Sequence, residues 1–209
     1  MDGKTAITRG VNSKPSIKER QRAQREEAIL DSAVKLIAER GFASVTFEQI
    51  ADEACVSKPT LYQHFRSKDD LAMHLSLRCM NLVRDRVLSV PSDMPVGVRL
   101  RQVMRTVVEF RLDKRLSLYA DLAQHVLPIR HGIPEINQIE TELIGQLESM
   151  IDEAQTQGIV RSDLSASFMC QILVSIFKDQ TYVDPSATLE TAEIFTAEIF
   201  TLLGMPALD

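Results

Sequence analysis

Apolar positions along the chain recur with helical spacing, and the polar punctuation between them predicts where each helix stops. From about residue 18 to Arg40 the stripe is Ala28, Ile29, Ala33, Leu36 and Ile37, with Gly41 following as a C-terminal stop. Thr46-Phe47-Glu48-Gln49 has the form of a capping box, so a short helix starts there and buries Phe47, Ile50, Ala51 and Ala54. A second short helix starts after Ser57, with Pro59 in its first turn and Leu61 and Phe65 pointing inward together at i and i+4. Ser67-Lys68-Asp69-Asp70 opens the next, with a cap and two acids at its positive end. Pro91 to Pro95 separates a helix of about 69–89 from one starting near 96. That long helical region breaks near Asp113 and ends between Pro128 and Pro134. Further helices are expected over about 135–156 (closed by Gly158), 163–181 and 186–203, the last two divided by Asp184-Pro185. A period-2 strand pattern of useful length is absent, so the fold class is all-α.

The last two helices are unusually apolar. The run from Phe168 to Phe177 breaks only at Gln171 and Ser175, and residues 191–200 read Thr-Ala-Glu-Ile-Phe twice. A five-residue repeat on a helix turns each copy by about 140°. Ile194, Phe195, Ile199, Phe200, Leu202 and Leu203 therefore cover more than one face. One apolar stripe serves a core, and a second calls for a second burial: a homodimer through these two helices, or a wholly internal helix.

Composition narrows the class. The 209 residues are 44% hydrophobic and 25% charged, ordinary for a chain that buries a core, with only 8 Gly, 8 Pro and no Trp. No uncharged apolar run approaches the roughly 18 residues of a membrane span, and the N-terminus lacks a secretory apolar stretch. The expectation is a cytoplasmic protein with no membrane contact. Cys55, Cys79 and Cys170 are too few and too far apart for a disulfide framework or a zinc cluster.

The net charge of −5 argues against nucleic acid until its distribution is read. Residues 1–25 carry seven basic and two acidic side chains, a net +5, whereas residues 71–209 carry twelve basic and eighteen acidic, a net −6. A basic end on an acidic body fits a local footprint on DNA. Residues 1–17 show no helical period and are expected as a disordered basic arm.

Two short helices joined by Ala54-Cys55-Val56-Ser57 behind a longer first helix make a helix-turn-helix, whose second helix enters the major groove. The residues from Arg25 to Leu71 carry a resemblance as well. Ala28-Ile29-Leu30 with Ala33, Glu39-Arg40-Gly41-Phe42, Thr46, Ile50-Ala51, Val56-Ser57-Lys58-Pro59-Thr60-Leu61-Tyr62, His64-Phe65, Ser67-Lys68 and Leu71 resemble, in order and spacing, the DNA-binding domain of the TetR family of bacterial transcriptional regulators. One departure stands in the turn, where Cys55 replaces the family's usual Gly. A Cβ in a left-handed conformation there costs about 1 kcal/mol. Cys55 is read as a small packed residue, with a redox-sensing thiol as the alternative.

With Leu61 and Phe65 committed to the core, Lys58, Pro59, Thr60, Tyr62, Gln63 and His64 are left to face outward or flank the seam. Gln63 suits adenine, Lys58 suits guanine, and Pro59 or Thr60 can touch a thymine methyl. Tyr62, His64 and Lys68 resemble the family's usual phosphate contacts, and Thr46 the contact at the start of the preceding helix. Phosphate contacts position the protein, and base contacts select sequence.

The resemblance further implies a double-stranded palindromic operator, a homodimer through the last two helices, and an unknown small-molecule effector held by the middle helices, about 96–157. The division expected is an arm at 1–17, a helix-turn-helix domain at 18–68, and an effector-binding and dimerisation domain at 69–209. Arg111, Tyr119, Gln124 and His125 are polar groups on apolar stretches there, and are the candidate ligand contacts. Each such group is more often a surface or satisfied core residue. His125 and His131 lack a metal-ligand spacing, and no cofactor is implied. An enzyme is disfavoured by the absence of a Gly-rich phosphate loop, G-x-S-x-G or H-E-x-x-H. The expected function is a repressor released from its operator by an effector. The alternative is a ligand-independent regulator or activator.

Overall fold

The computed structural model describes residues 16–112, 133–178 and 189–205. Among them are eight α-helices and no β-strand, so the chain is all-α. They are α1 (Ile17–Arg40), α2 (Phe47–Glu53), α3 (Lys58–His64), α4 (Lys68–Leu88), α5 (Val96–Leu112), α6 (Pro134–Thr156), α7 (Ala166–Lys178) and α8 (Leu189–Leu203), with a 3-10 turn at Phe42–Ser44.

Local chemistry sets the helix ends. At the start of α2 the Gln49 N–H donates to Thr46 Oγ1 (3.3 Å) and the Thr46 N–H donates to Gln49 Oε1 (2.9 Å), closing the expected capping box. The hydroxyls of Ser57 and Ser67 cap α3 and α4 more simply, each accepting from one amide, that of Thr60 and of Asp70. Gly41, at φ 77°, ends α1. The start of α1 corrects the expected arm. Ser16 and Glu19 form a further capping box, Ser16 N–H to Glu19 Oε2 at 2.6 Å and Glu19 N–H to Ser16 Oγ at 3.2 Å, so residues 16 and 17 open the helix. The remainder of the arm lies outside the described residues. α7 begins at Ala166, later than the expected 163, because the Phe168 N–H finds Ser165 Oγ at 3.3 Å.

The buried residues fall into two clusters. The first joins Ile29 and Ile37 of α1, Ile50 of α2, Leu61 of α3, Phe65, and Leu71 and Leu75 of α4. The second joins Val87 at the far end of α4 to Leu100 and Met104 of α5, Ile151 of α6, Leu173 of α7, and Leu203 of α8. α4 is thus one continuous helix with its first half in one core and its last turn in the other. Packing carries the first unit as far as Leu75, beyond the boundary expected at 68. The side chain of Arg78 adds a link back to α1, with Nη2 at 2.6 Å from Asp31 Oδ1.

α7 and α8 turn Cys170, Leu173, Ile199 and Leu203 into the second core, yet Phe168 is 50% and Ile194 57% exposed. The described part of α8 is therefore not wholly internal. No helix among the described residues is long and apolar enough to cross a membrane.

Candidate nucleic-acid interface

The turn between α2 and α3 sets which face of α3 is exposed. The Cys55 N–H donates to Asp52 O (3.1 Å) and the Val56 N–H to Ala51 O (2.9 Å), the two bonds of a Schellman motif. That motif needs a left-handed residue at its first position past the cap, and Cys55 supplies it at φ 52°. The turn forms as expected, but the thiol does not pack: Cys55 is exposed. The reading of Cys55 as a small buried residue is corrected, since a left-handed Cα at this turn directs its Cβ toward solvent.

Beyond the turn, Leu61 and Phe65 are fully buried, and this fixes which face of α3 is free. Lys58, Pro59, Tyr62 and Gln63 are exposed, as expected. Thr60 is half-buried, its hydroxyl 2.7 Å from that of Ser57. Tyr62 stands 47% exposed, its ring edge packed on Phe47 with centroids 5.2 Å apart. That contact holds the phenol outward from the α2–α3 seam.

Two expected phosphate contacts are engaged inside the protein. The His64 side chain is only 5% exposed, with Nδ1 at 3.5 Å from Glu26 Oε2 of α1, so it is turned toward the α1–α3 seam and not outward. Its neighbour Phe65 is fully buried in the core cluster that includes Ile29 and Ile37 of α1, which carries this end of α3 inward. Lys68 lies half-buried with Nζ 4.4 Å above the Phe42 ring and 3.2 Å from Ala43 O. Partial burial pushes its pKa down. Thr46 has both its backbone N–H and its hydroxyl in the capping box.

One partner had no expectation attached to it. Glu48, on the first turn of α2, pairs with Lys58 across the seam, both side chains about half-exposed at 55% and 51%. The hydrogen bond from Lys58 holds the carboxyl below the usual range, and Glu48 in turn raises the ammonium. Sequence separation hides this pair: its members stand ten positions apart, and only the turn geometry brings them together.

In the second unit, a cleft of about 220 Å³ opens between the last turn of α4, α5 and α6. Val87, Val103 and Met150 give it apolar walls, and Arg99 and Gln146 give it polar ones. Arg99 Nη1 is 3.1 Å from Glu153 Oε2. Of the expected ligand contacts, Arg111 falls in the last turn of α5, and Tyr119, Gln124 and His125 lie outside the described residues. Among the described residues no cluster of His, Cys, Asp and Glu could hold a metal.

Residues 29–75 match the family model described as bacterial regulatory proteins, tetR family. Over 176 residues the chain is 22% identical to the uncharacterized HTH-type transcriptional regulator YerO of Bacillus subtilis (strain 168). That match takes in 82% of this chain but only 61% of YerO, so the chain spans about three fifths of that relative. Among solved structures, the fatty acid degradation regulator FadR from Bacillus halodurans superposes with a TM-score of 0.68 at 21% identity, over 91% of this chain and 96% of FadR. AibR in complex with isovaleryl coenzyme A and operator DNA superposes with a TM-score of 0.67 at 23% identity, over 88% of this chain and 100% of AibR. At these identities the likeness is one of fold.

Proposed function

We propose that this chain, which belongs to the tetR family of bacterial regulatory proteins, is a homodimeric repressor that leaves a palindromic operator when a small molecule binds its second unit. The observation that carries the reading is the division of α3. Leu61 and Phe65 anchor it, while Lys58, Pro59, Tyr62 and Gln63 are exposed on the opposite face. A short helix fixed on one side and polar on the other is what a major groove admits. In this reading Lys58 and Gln63 read bases, Pro59 and Thr60 meet a thymine methyl, and Tyr62 and Thr46 hold phosphates. Lys68 reaches a phosphate from above Phe42, and His64 serves by orienting the end of α3.

The dimer uses α7 and α8, whose exposed Phe168 and Ile194 need a second burial. Two-fold symmetry then sets two copies of α3 against two half-sites. The arm and residues 18–68, continued to Leu75, form the reading unit, and the remainder forms the effector and dimer unit.

Release follows from α4. Its first half is locked to the reading unit and Val87 lines the cleft of the other, so a ligand that wedges the cleft rotates the helix and changes the spacing of the two α3 copies. This requires a ligand with different affinity for the two spacings. Acyl-coenzyme A thioesters are the effector class to try first: an apolar chain suits the Val87, Val103 and Met150 wall, and AibR of like fold carries isovaleryl coenzyme A. The test is an anisotropy titration on a palindromic duplex recovered by selection, followed by addition of thioesters of graded chain length. Two protomers per duplex and release by one thioester are expected. Binding as single protomers would overturn the dimer, and a complex unmoved by every thioester would overturn the effector class.

A further inference from the structure

Glu48 occupies a place that a DNA-binding surface tolerates poorly. Its carboxylate projects from the first turn of α2, half-exposed, beside the first residue of α3. DNA carries about one negative charge per 1.7 Å of axis, so a carboxylate brought into the groove is repelled along both strands. It also withholds part of the Lys58 charge that would attract. Fold stability is only a partial reason for it: an acid in the first turn of α2 complements the positive end of that helix, a small effect at an exposed site, and exposed ion pairs contribute little.

We propose that Lys58 and Glu48 act as one donor–acceptor unit reading a single G·C base pair, and that Glu48 is a specificity-determining residue. The proposal rests on α3 being the recognition helix. Lys58 donates to guanine N7 and O6, and Glu48 accepts from the N4 amino group of the paired cytosine. The geometry favours this match. Guanine O6 and cytosine N4 are hydrogen-bonded to one another, so they lie side by side at the floor of the major groove. Lys58 Nζ and Glu48 Oε1 are likewise hydrogen-bonded to one another and present a donor beside an acceptor. An A·T pair also offers a donor and an acceptor, but two features disfavour it. There the ammonium would face thymine O4, which has no second acceptor on its own base as guanine O6 has in N7, and the thymine methyl crowds the approach to O4.

The repulsion becomes useful in this arrangement. At a cytosine amino group the carboxylate gains a hydrogen bond that offsets its repulsion from phosphate. At any other base the repulsion stands uncompensated, so Glu48 weakens wrong sites more than the right one.

The test is selection of bound duplexes from a random pool by the full-length wild type, E48A and K58A, with affinities then measured on the enriched site and on an unrelated duplex. The wild type should enrich a palindrome with one G·C position per half-site that both variants lose, the other positions being kept. For E48A the preference for G·C at that position should fall about tenfold while affinity for unrelated DNA rises. Thermal melting of E48A should lie at most a few degrees below the wild type, the small loss of an acid at the start of α2, which excludes unfolding as the cause. A motif unchanged in E48A would overturn the proposal, whatever its affinity. A wild type that enriches no motif would overturn the reading of α3, and this proposal with it.

Discussion

Cys55 allows a test of how the α2–α3 turn is held. Its φ of 52° lies in the left-handed region, where a Cβ costs about 1–2 kcal/mol. The thiol is exposed and belongs to neither core, so C55A removes only the sulfur and should stay within about 0.5 kcal/mol of wild type. C55G removes the Cβ strain as well, at a chain-entropy cost of about 0.5–1 kcal/mol. At mid-range values the difference leaves C55G more stable than C55A by about 0.75 kcal/mol, or about 1.5–3 °C in Tm for a chain of this size. Urea denaturation of the three proteins at one protein concentration measures it. The Schellman bonds from Cys55 and Val56 are backbone bonds and survive both changes. A C55G variant no more stable than C55A would refute the assignment of strain to this residue.

Three further outcomes follow from the same structure. L61A, at a fully buried position, should lower stability by about 2–5 kcal/mol and detach α3, read by denaturant midpoint together with loss of DNA binding. Y62F keeps the edge contact on Phe47 and loses the hydroxyl, so melting should be unchanged while DNA affinity drops about fivefold for all sequences alike, checked by anisotropy. The amide and hydroxyl of Ser16 hold the Glu19 carboxyl below its ordinary range. Its cap on α1 is therefore complete above the ordinary glutamate pKa and lost as pH falls through the depressed value, an order that NMR titration of the Glu19 carboxyl and the Ser16 amide can follow.

What was legible in the sequence was local. Thr46 to Gln49, Ser57 with Pro59, Ser67 and Gly41 mark helix ends through bonds that span three or four residues, and those marks hold. Leu61 and Phe65 were legible because helical spacing alone puts them on one face. The Ser16–Glu19 box has the same S-x-x-E form, but charged and polar residues follow it in place of an apolar stripe, so no periodic pattern marks it as a helix start. Contacts between elements were not legible. His64 turning toward Glu26, Lys68 lying over Phe42, and Glu48 meeting Lys58 each depend on the angle between two helices. Cys55 shows the limit well: its turn was readable from the family's glycine, but the direction of its thiol depends on a φ angle that no spacing reveals.

The central claim is that two copies of α3, fixed by Leu61 and Phe65, read a palindrome. Selection of bound duplexes from a random pool by the full chain, with affinity for the winners measured at two salt concentrations, tests it most directly. The account predicts a two-fold symmetric motif whose affinity falls steeply as salt rises. Failure to enrich any sequence, or enrichment of a single asymmetric half-site, would contradict it.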